Sequence, residues 1–123
     1  MAIIKTLGPW TLDALDEEVI FGPGYNDMNL SDANTLYVQV HTDVSGTWTI
    51  TFQQSLDGVN WVNFSVGPAT GSFGATFSAA ASTFSNLFSA GIGGRPYMKI
   101  KMTSYTSGEL TITKAISTNL STR

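Results

Sequence analysis

The chain has 123 residues, 42% of them hydrophobic and none of them cysteine, which suits one domain with a single core and excludes a disulfide framework, a thiolate metal site and a cysteine nucleophile. Only 12% of residues are charged, half the usual ~25%, and an acidic pI near 4.7 argues against a nucleic-acid partner because phosphate would be repelled. The charges are also lopsided: residues 1–57 set Lys5 against eight carboxylates, whereas residues 95–123 set five cations against Glu109. Either the two ends pair inside one sandwich, or they offer complementary patches to neighbouring subunits.

Residues 1–34 read as an extended N-terminal arm. Gly8-Pro9 and Gly22-Pro23-Gly24 break any long element, Thr11 followed by Leu12 to Glu17 allows one helical turn, and Glu18-Val19-Ile20-Phe21 reads as one short strand. The apolar run at the N-terminus is too short and too broken for a signal peptide, and no later run approaches the ~18 residues of a membrane span. Neither export by that route nor a membrane partner is expected. The arm's apolar side chains Ile3, Ile4, Leu7 and Trp10 must dock on their own domain or on a neighbour.

Residues 35–117 form the expected β-sandwich body. Leu36, Val38 and Val40 alternate with polar residues, as do Trp48, Ile50 and Phe52, so both stretches are half-buried strands. A hairpin turning at Asp43-Val44-Ser45-Gly46 would set Leu36 opposite Phe52, Val38 opposite Ile50 and Val40 opposite Trp48. At Ser55-Leu56-Asp57-Gly58-Val59-Asn60-Trp61 the same reasoning selects a three-residue loop, Leu56-Asp57-Gly58, which pairs Phe52 with Val62 and Ile50 with Phe64. That loop needs Gly58 at positive φ. It also turns Trp61 out of the core, either over its own hairpin or toward a partner or a sugar.

From Gly58 to Gly94, 37 residues carry no charge, and Phe73, Phe77, Phe84 and Phe88 punctuate Gly, Ala, Ser and Thr. Phe77, Ala80, Ala81, Phe84, Leu87 and Phe88 would fit a helical face, whereas the Gly, Ser and Thr content favours strands, expected near 72–78 and 83–89. Such a segment should be core or covered by another subunit. A second hairpin then echoes the first at an offset of 62 residues: Ser107-Gly108-Glu109-Leu110-Thr111-Ile112-Thr113 matches Ser45-Gly46-Thr47-Trp48-Thr49-Ile50-Thr51. It would pair Ile100 with Ile112 and Met102 with Leu110. Residues 118–123 are a tail.

Catalytic signals are sparse. His41, the one histidine, sits mid-strand beside Tyr37 and Gln39 with no third group indicated to orient it, and no nucleophile elbow is present. Asp16-Glu17-Glu18 reads as a solvated acidic run, since neighbours in an extended chain point apart. Asp27, Asn29 and Asp32 lack the glycine and terminal glutamate of a calcium loop, and Gly91-Ile92-Gly93-Gly94-Arg95 lacks the Lys-Ser/Thr of a phosphate loop. No enzyme, metal or cofactor is expected. Trp10, Trp61, Tyr37, Tyr97 and Tyr105 would suit a glycan, and the outward row Tyr97, Lys99, Lys101, Thr103 would equally suit an acidic neighbour.

Ser-Leu-Asp-Gly-Val-Asn-Trp after Gly46-Thr47-Trp48-Thr49-Ile50, with Arg95-Pro96-Tyr97-Met98-Lys99-Ile100-Lys101 and Ser107-Gly108-Glu109-Leu110-Thr111-Ile112 downstream, resembles small β-sandwich proteins of tailed-bacteriophage particles. Capsid decoration, or cement, proteins are the most similar group, and the likeness spans about residues 35–116. It implies an all-β, jelly-roll or immunoglobulin-like antiparallel sandwich without enzymatic activity. Its place would be the virion exterior, after synthesis in the host cytoplasm, bound to major capsid protein and to copies of itself, often as a homotrimer. A tail-fibre, baseplate or carbohydrate-binding module would use a similar fold. On the decoration reading, Ile3, Ile4, Leu7, Trp10, Trp61, Phe73, Phe77, Tyr97, Lys99 and Lys101 are the candidate subunit and capsid contacts.

Overall fold

The computed structural model describes residues 2–22, 35–91 and 96–119, apart from the side chains of residues 2–7 and 117–119. Asp27, Asn29, Asp32 and the Ile92 to Arg95 glycine-rich stretch lie outside the described residues. Nine strands and no helix occupy the described residues: β1 (Ala2–Leu7), β2 (Trp10–Leu12), β3 (Glu18–Phe21), β4 (Thr35–Ser55), β5 (Val62–Asn63), β6 (Gly67–Pro68), β7 (Thr76–Gly91), β8 (Tyr97–Ser107) and β9 (Leu110–Asn119). All pair antiparallel in one sheet, which folds on itself as a small sandwich.

The 21-residue β4 is the spine. Its buried apolar residues Leu36, Val38, Val40, Trp48, Ile50 and Phe52 all share one parity, so the period-2 pattern passes through residues 43–46 without a reversal. Its two halves pair with β7, β8 and β9 and not with each other, so the expected hairpin there is corrected to a single bent strand. Along one side, β9 pairs with the first half of β4 (Val40↔Ile112) and β8 with the second (Phe52↔Ile100, Ile50↔Met102). Among the described residues β8 and β9 do not pair with each other, so Ile100–Ile112 and Met102–Leu110 are not partners. Along the other side, β7 follows β4 from Thr35↔Gly91 to Thr51↔Thr76.

The sheet bends where these strands share a level. The β4–β7 register shifts between Thr42 and Thr47, Ala81 has φ 55° and Gly108 has φ 88°. Both Ser-Gly dipeptides of the repeat meet here: a Cβ on Gly108 would stand 2.6 Å from Gly46 Cα, and one on Gly46 would stand 2.6 Å from Ser107 O. The repeat marks one corner, made by β4 and the link between β8 and β9 alongside it, not two hairpin turns. Folding at that corner brings Phe52, from the second half of β4, within 4.9 Å (ring centroids) of Phe88, which pairs with Val38 in the first half. Each large side chain fully buried between the halves is worth about 1.5–3 kcal/mol of transfer free energy.

Within the uncharged segment, the expected strands near 72–78 and 83–89 are one strand, β7, in which Ala79, Phe88 and Ala90 are buried while Ala80 and Ala81 are exposed. A helix would need those last two inside. Strand pairing prevails because β4 supplies a hydrogen-bonding partner along the whole length. Where the sequence suggests one strand before residue 34, the described residues there form three: β1 and β2 pair with β9, and β3 pairs with β8. Thr11 and Leu12 belong to β2, so the turn that follows holds only Ala14, Leu15 and Asp16. The ring of Trp10 meets Phe21 edge-on at 5.4 Å, and Leu12 is buried.

Candidate docking surface

One end of the sandwich is built by the loop between β4 and β5. Gln54 pairs with Val62, so the loop comprises the seven residues from Ser55 to Trp61, not three. The extra length is drawn in by Asp57. Its Oδ1 accepts the N–H groups of Val59 and Asn60 at 2.8 Å each and the Ser55 hydroxyl at 2.8 Å, while Oδ2 accepts the Asn60 side-chain amide at 2.8 Å. Ser55 Oγ in turn accepts the N–H groups of Asp57 (3.2 Å) and Gly58 (2.9 Å). These bonds hold the Asp57 carboxyl well below the usual carboxylate range, the Asn60 and Val59 backbone amides contributing most.

Gly58 has the expected positive φ, 76°, and a Cβ there would lie 3.3 Å from Tyr97 Cζ. The glycine therefore both closes the turn and seats it on the Tyr97 ring. The register is two residues away from the expected one, which preserves the parity of the faces. Phe64 N–H donates to Phe52 O at 3.2 Å, and Val62 is carried past the end of the core to 60% exposure.

Trp61 leaves the core, as its register requires, but covers β8 and not its own hairpin. Its ring stands edge-on to Tyr97 at 6.5 Å, and Lys99 Nζ lies 4.4 Å from the ring centroid. The same ammonium is 3.1 Å from Glu18 Oε2. Lys99 is thus buried between an indole and a carboxylate, which replace much of its lost hydration. Lys101 pairs with Asp16 at 3.7 Å, so opposite charges from the two ends of the chain meet across β3 and β8.

The large apolar side chains left exposed at this end are aliphatic. Leu56 is 75% exposed and Val59 76%; both stand on a loop whose one charge is bound by four hydrogen bonds, and exposed Val62 follows at the start of β5. A cleft of about 350 Å³ opens between Gln54, Ser55, Leu56, Asp57, Asn60 and Val62. The sequence reasoning missed Leu56 and Val59; the available signal was two aliphatic residues flanking an Asp-Gly turn.

The other candidate contacts divide. Trp10 and Phe77 pack against the chain's own core, and Phe77 meets Phe88 at 4.6 Å. Tyr97 is half-buried under the loop. Phe73 is 81% exposed, although its ring lies over Gly67, where a Cβ would be only 2.9 Å away. Backbone pairing places Ile3, Lys5, Thr6 and Leu7 on β9; the side chains of Ile3, Ile4 and Leu7 are outside the description.

His41 has two partners that its local sequence did not indicate. Nδ1 hydrogen-bonds Ser85 Oγ on β7, and Nε2 lies 2.7 Å from Asp43 Oδ1. The order of nitrogens is the reverse of that in a serine hydrolase, the Asp43 side chain is 89% exposed, and the nearby Asn86 amide is spent on the Thr70 backbone. A shallow cleft of about 480 Å³ lies beside this array, between Gln39, Thr70, Leu87 and Thr113.

No family model matches this chain, and no curated protein matches it in sequence. Its fold is similar to that of a solved structure, the SPBc2 prophage-derived protein YomS, with a TM-score of 0.59 at 14% identity. The match covers 95% of this chain and 97% of that one.

Proposed function

We propose that this chain is a non-enzymatic structural protein of a bacteriophage particle, a decoration or cement protein that binds the exterior of the head between major capsid subunits. The observation that carries the reading is the Ser55–Trp61 loop: a hydrogen-bonded turn that holds Leu56, Val59 and Val62 bare at one end of the sandwich. A surface already fixed in its binding shape loses little entropy on docking, and desolvation of clustered aliphatic groups supplies affinity. The phage assignment is supported by the motif resemblance of residues 35–116 and by the fold shared with a prophage-derived protein.

On this reading the loop docks on the shell, and Lys99 and Lys101 act by stiffening the surface beneath it. The test is binding to heads stripped of the protein, with occupancy read by particle imaging. The triple variant Leu56→Ser, Val59→Ser, Val62→Ser alters only exposed side chains and should lose affinity by about tenfold or more. Full occupancy by that variant would remove the loop from the interface. Wild-type protein found on tails, or retained on a glycan array and absent from heads, would replace the reading altogether.

A further inference from the structure

Among the described residues, the first part of the outer edge of β7, Thr76–Ala80, pairs with no strand. Phe52 N–H donates to Ala75 O at 2.8 Å, and the ladder continues with Ile50↔Phe77 and Trp48↔Ala79. Antiparallel alternation then turns the N–H and C=O of Phe77 and Ala79 toward β4 and those of Thr76, Ser78 and Ala80 away from it. β6 shields only the far end, pairing Gly67 with Ser89 and Pro68 with Phe88. Among the described residues no strand lies outside Thr76–Ala80.

Natural edges are blunted by charge, proline or an early bulge. This one has no charged residue between Gly58 and Gly94 and no proline between Pro68 and Pro96. Its first irregularity is Ala81, at φ 55°, which bounds the straight stretch on one side only. Thr76, Ser78 and Ala80 are all exposed and small.

We propose that this edge pairs with the same edge of a second copy, antiparallel about a two-fold axis at Ser78. In that register Thr76 faces the partner's Ala80, Ser78 faces the partner's Ser78, and about six backbone hydrogen bonds form from groups that otherwise face water. The occupant is set by self-complementarity. No charge opposes another anywhere along the edge, and on the core-side face Phe77 stands beside the partner's Ala79, large against small, twice over by symmetry. The inference does not rest on the particle reading, since it concerns the isolated protein.

Sedimentation equilibrium of the full chain over a concentration series tests it. The wild type should approach twice the 13.2 kDa chain mass. Ser78→Lys puts two ammonium groups face to face at the axis and should sediment as a monomer; Ser78→Glu should do the same. An equimolar mixture of the two should regain the dimer mass, because the axis then sets Lys against Glu. Amide exchange at Thr76, Ser78 and Ala80 should be roughly tenfold or more slower in the wild type than in Ser78→Lys. A wild type that stays monomeric throughout, a Ser78→Lys protein that keeps its mass, or a mixture that fails to pair would each overturn the proposal.

Discussion

Asp57 shows how much one side chain can organise. It is exposed, yet its carboxylate gathers two backbone amides, a side-chain amide and a hydroxyl, so the loop is held in shape without being buried. Because its folded pKa is depressed below the ordinary 3.8, its stabilising share is complete above that range and is lost as pH falls through it. Asp13 runs the other way, raised chiefly by its hydrogen bond to the Glu17 side chain. Asp57→Asn should therefore lower Tm at neutral pH, and the gap to the parent should narrow between about pH 5 and pH 2. Thermal melts across that interval decide it; parallel curves would mean the carboxylate is not bonded as described. At this scale the sequence was a good guide: the left-handed Gly58 and the outward Trp61 both followed from local turn chemistry. Loop length did not, because an aspartate that collects amides from beyond the turn leaves the alternation of the flanking strands unchanged.

The corner was legible as a signal and illegible as an object. Ser45-Gly46 and Ser107-Gly108 announce that the chain changes direction, but an odd-length hairpin loop and a bent continuous strand keep the same residues on the core face, so periodicity does not separate them. The deciding fact is which strand lies alongside, and that is settled by packing far along the chain, such as Phe52 on Phe88. The two glycines are opposed so closely that neither tolerates a side chain. Gly108→Ala adds strain at φ 88° to a clash with the Gly46 backbone and should cost roughly 3 kcal/mol, a fall in Tm of about 10 °C. Gly91→Ala, where a Cβ meets nothing within 4 Å, is the control and should stay within about 0.5 kcal/mol of the parent. Equal melting of the two variants would show that the sheet does not fold at this level.

At the scale of the whole molecule the issue is whether residues 2–22 are an appendage or part of the body. Composition favoured an arm, because Gly-Pro breaks and scattered apolar residues are what an arm looks like when its partner residues are 77 to 117 positions away. In the structure those residues form three strands along β8 and β9; Leu12 and Val19 join the core, and Lys99 and Lys101 meet Glu18 and Asp16. A segment so attached cannot leave without opening the sheet, so the chain should unfold as one unit. The three tryptophans make this measurable: Trp10 lies on β2 against Phe21, and Trp48 lies in the core against Phe84. A variant retaining Trp10 alone and a variant retaining Trp48 alone, the others changed to Phe, will differ in absolute stability. Each should nevertheless show coincident urea transitions by fluorescence and by far-ultraviolet circular dichroism. If Trp10 fluorescence in the first variant changes at lower urea than the circular dichroism of the β-sheet, the first strands detach independently and the cooperative unit is smaller than the described fold.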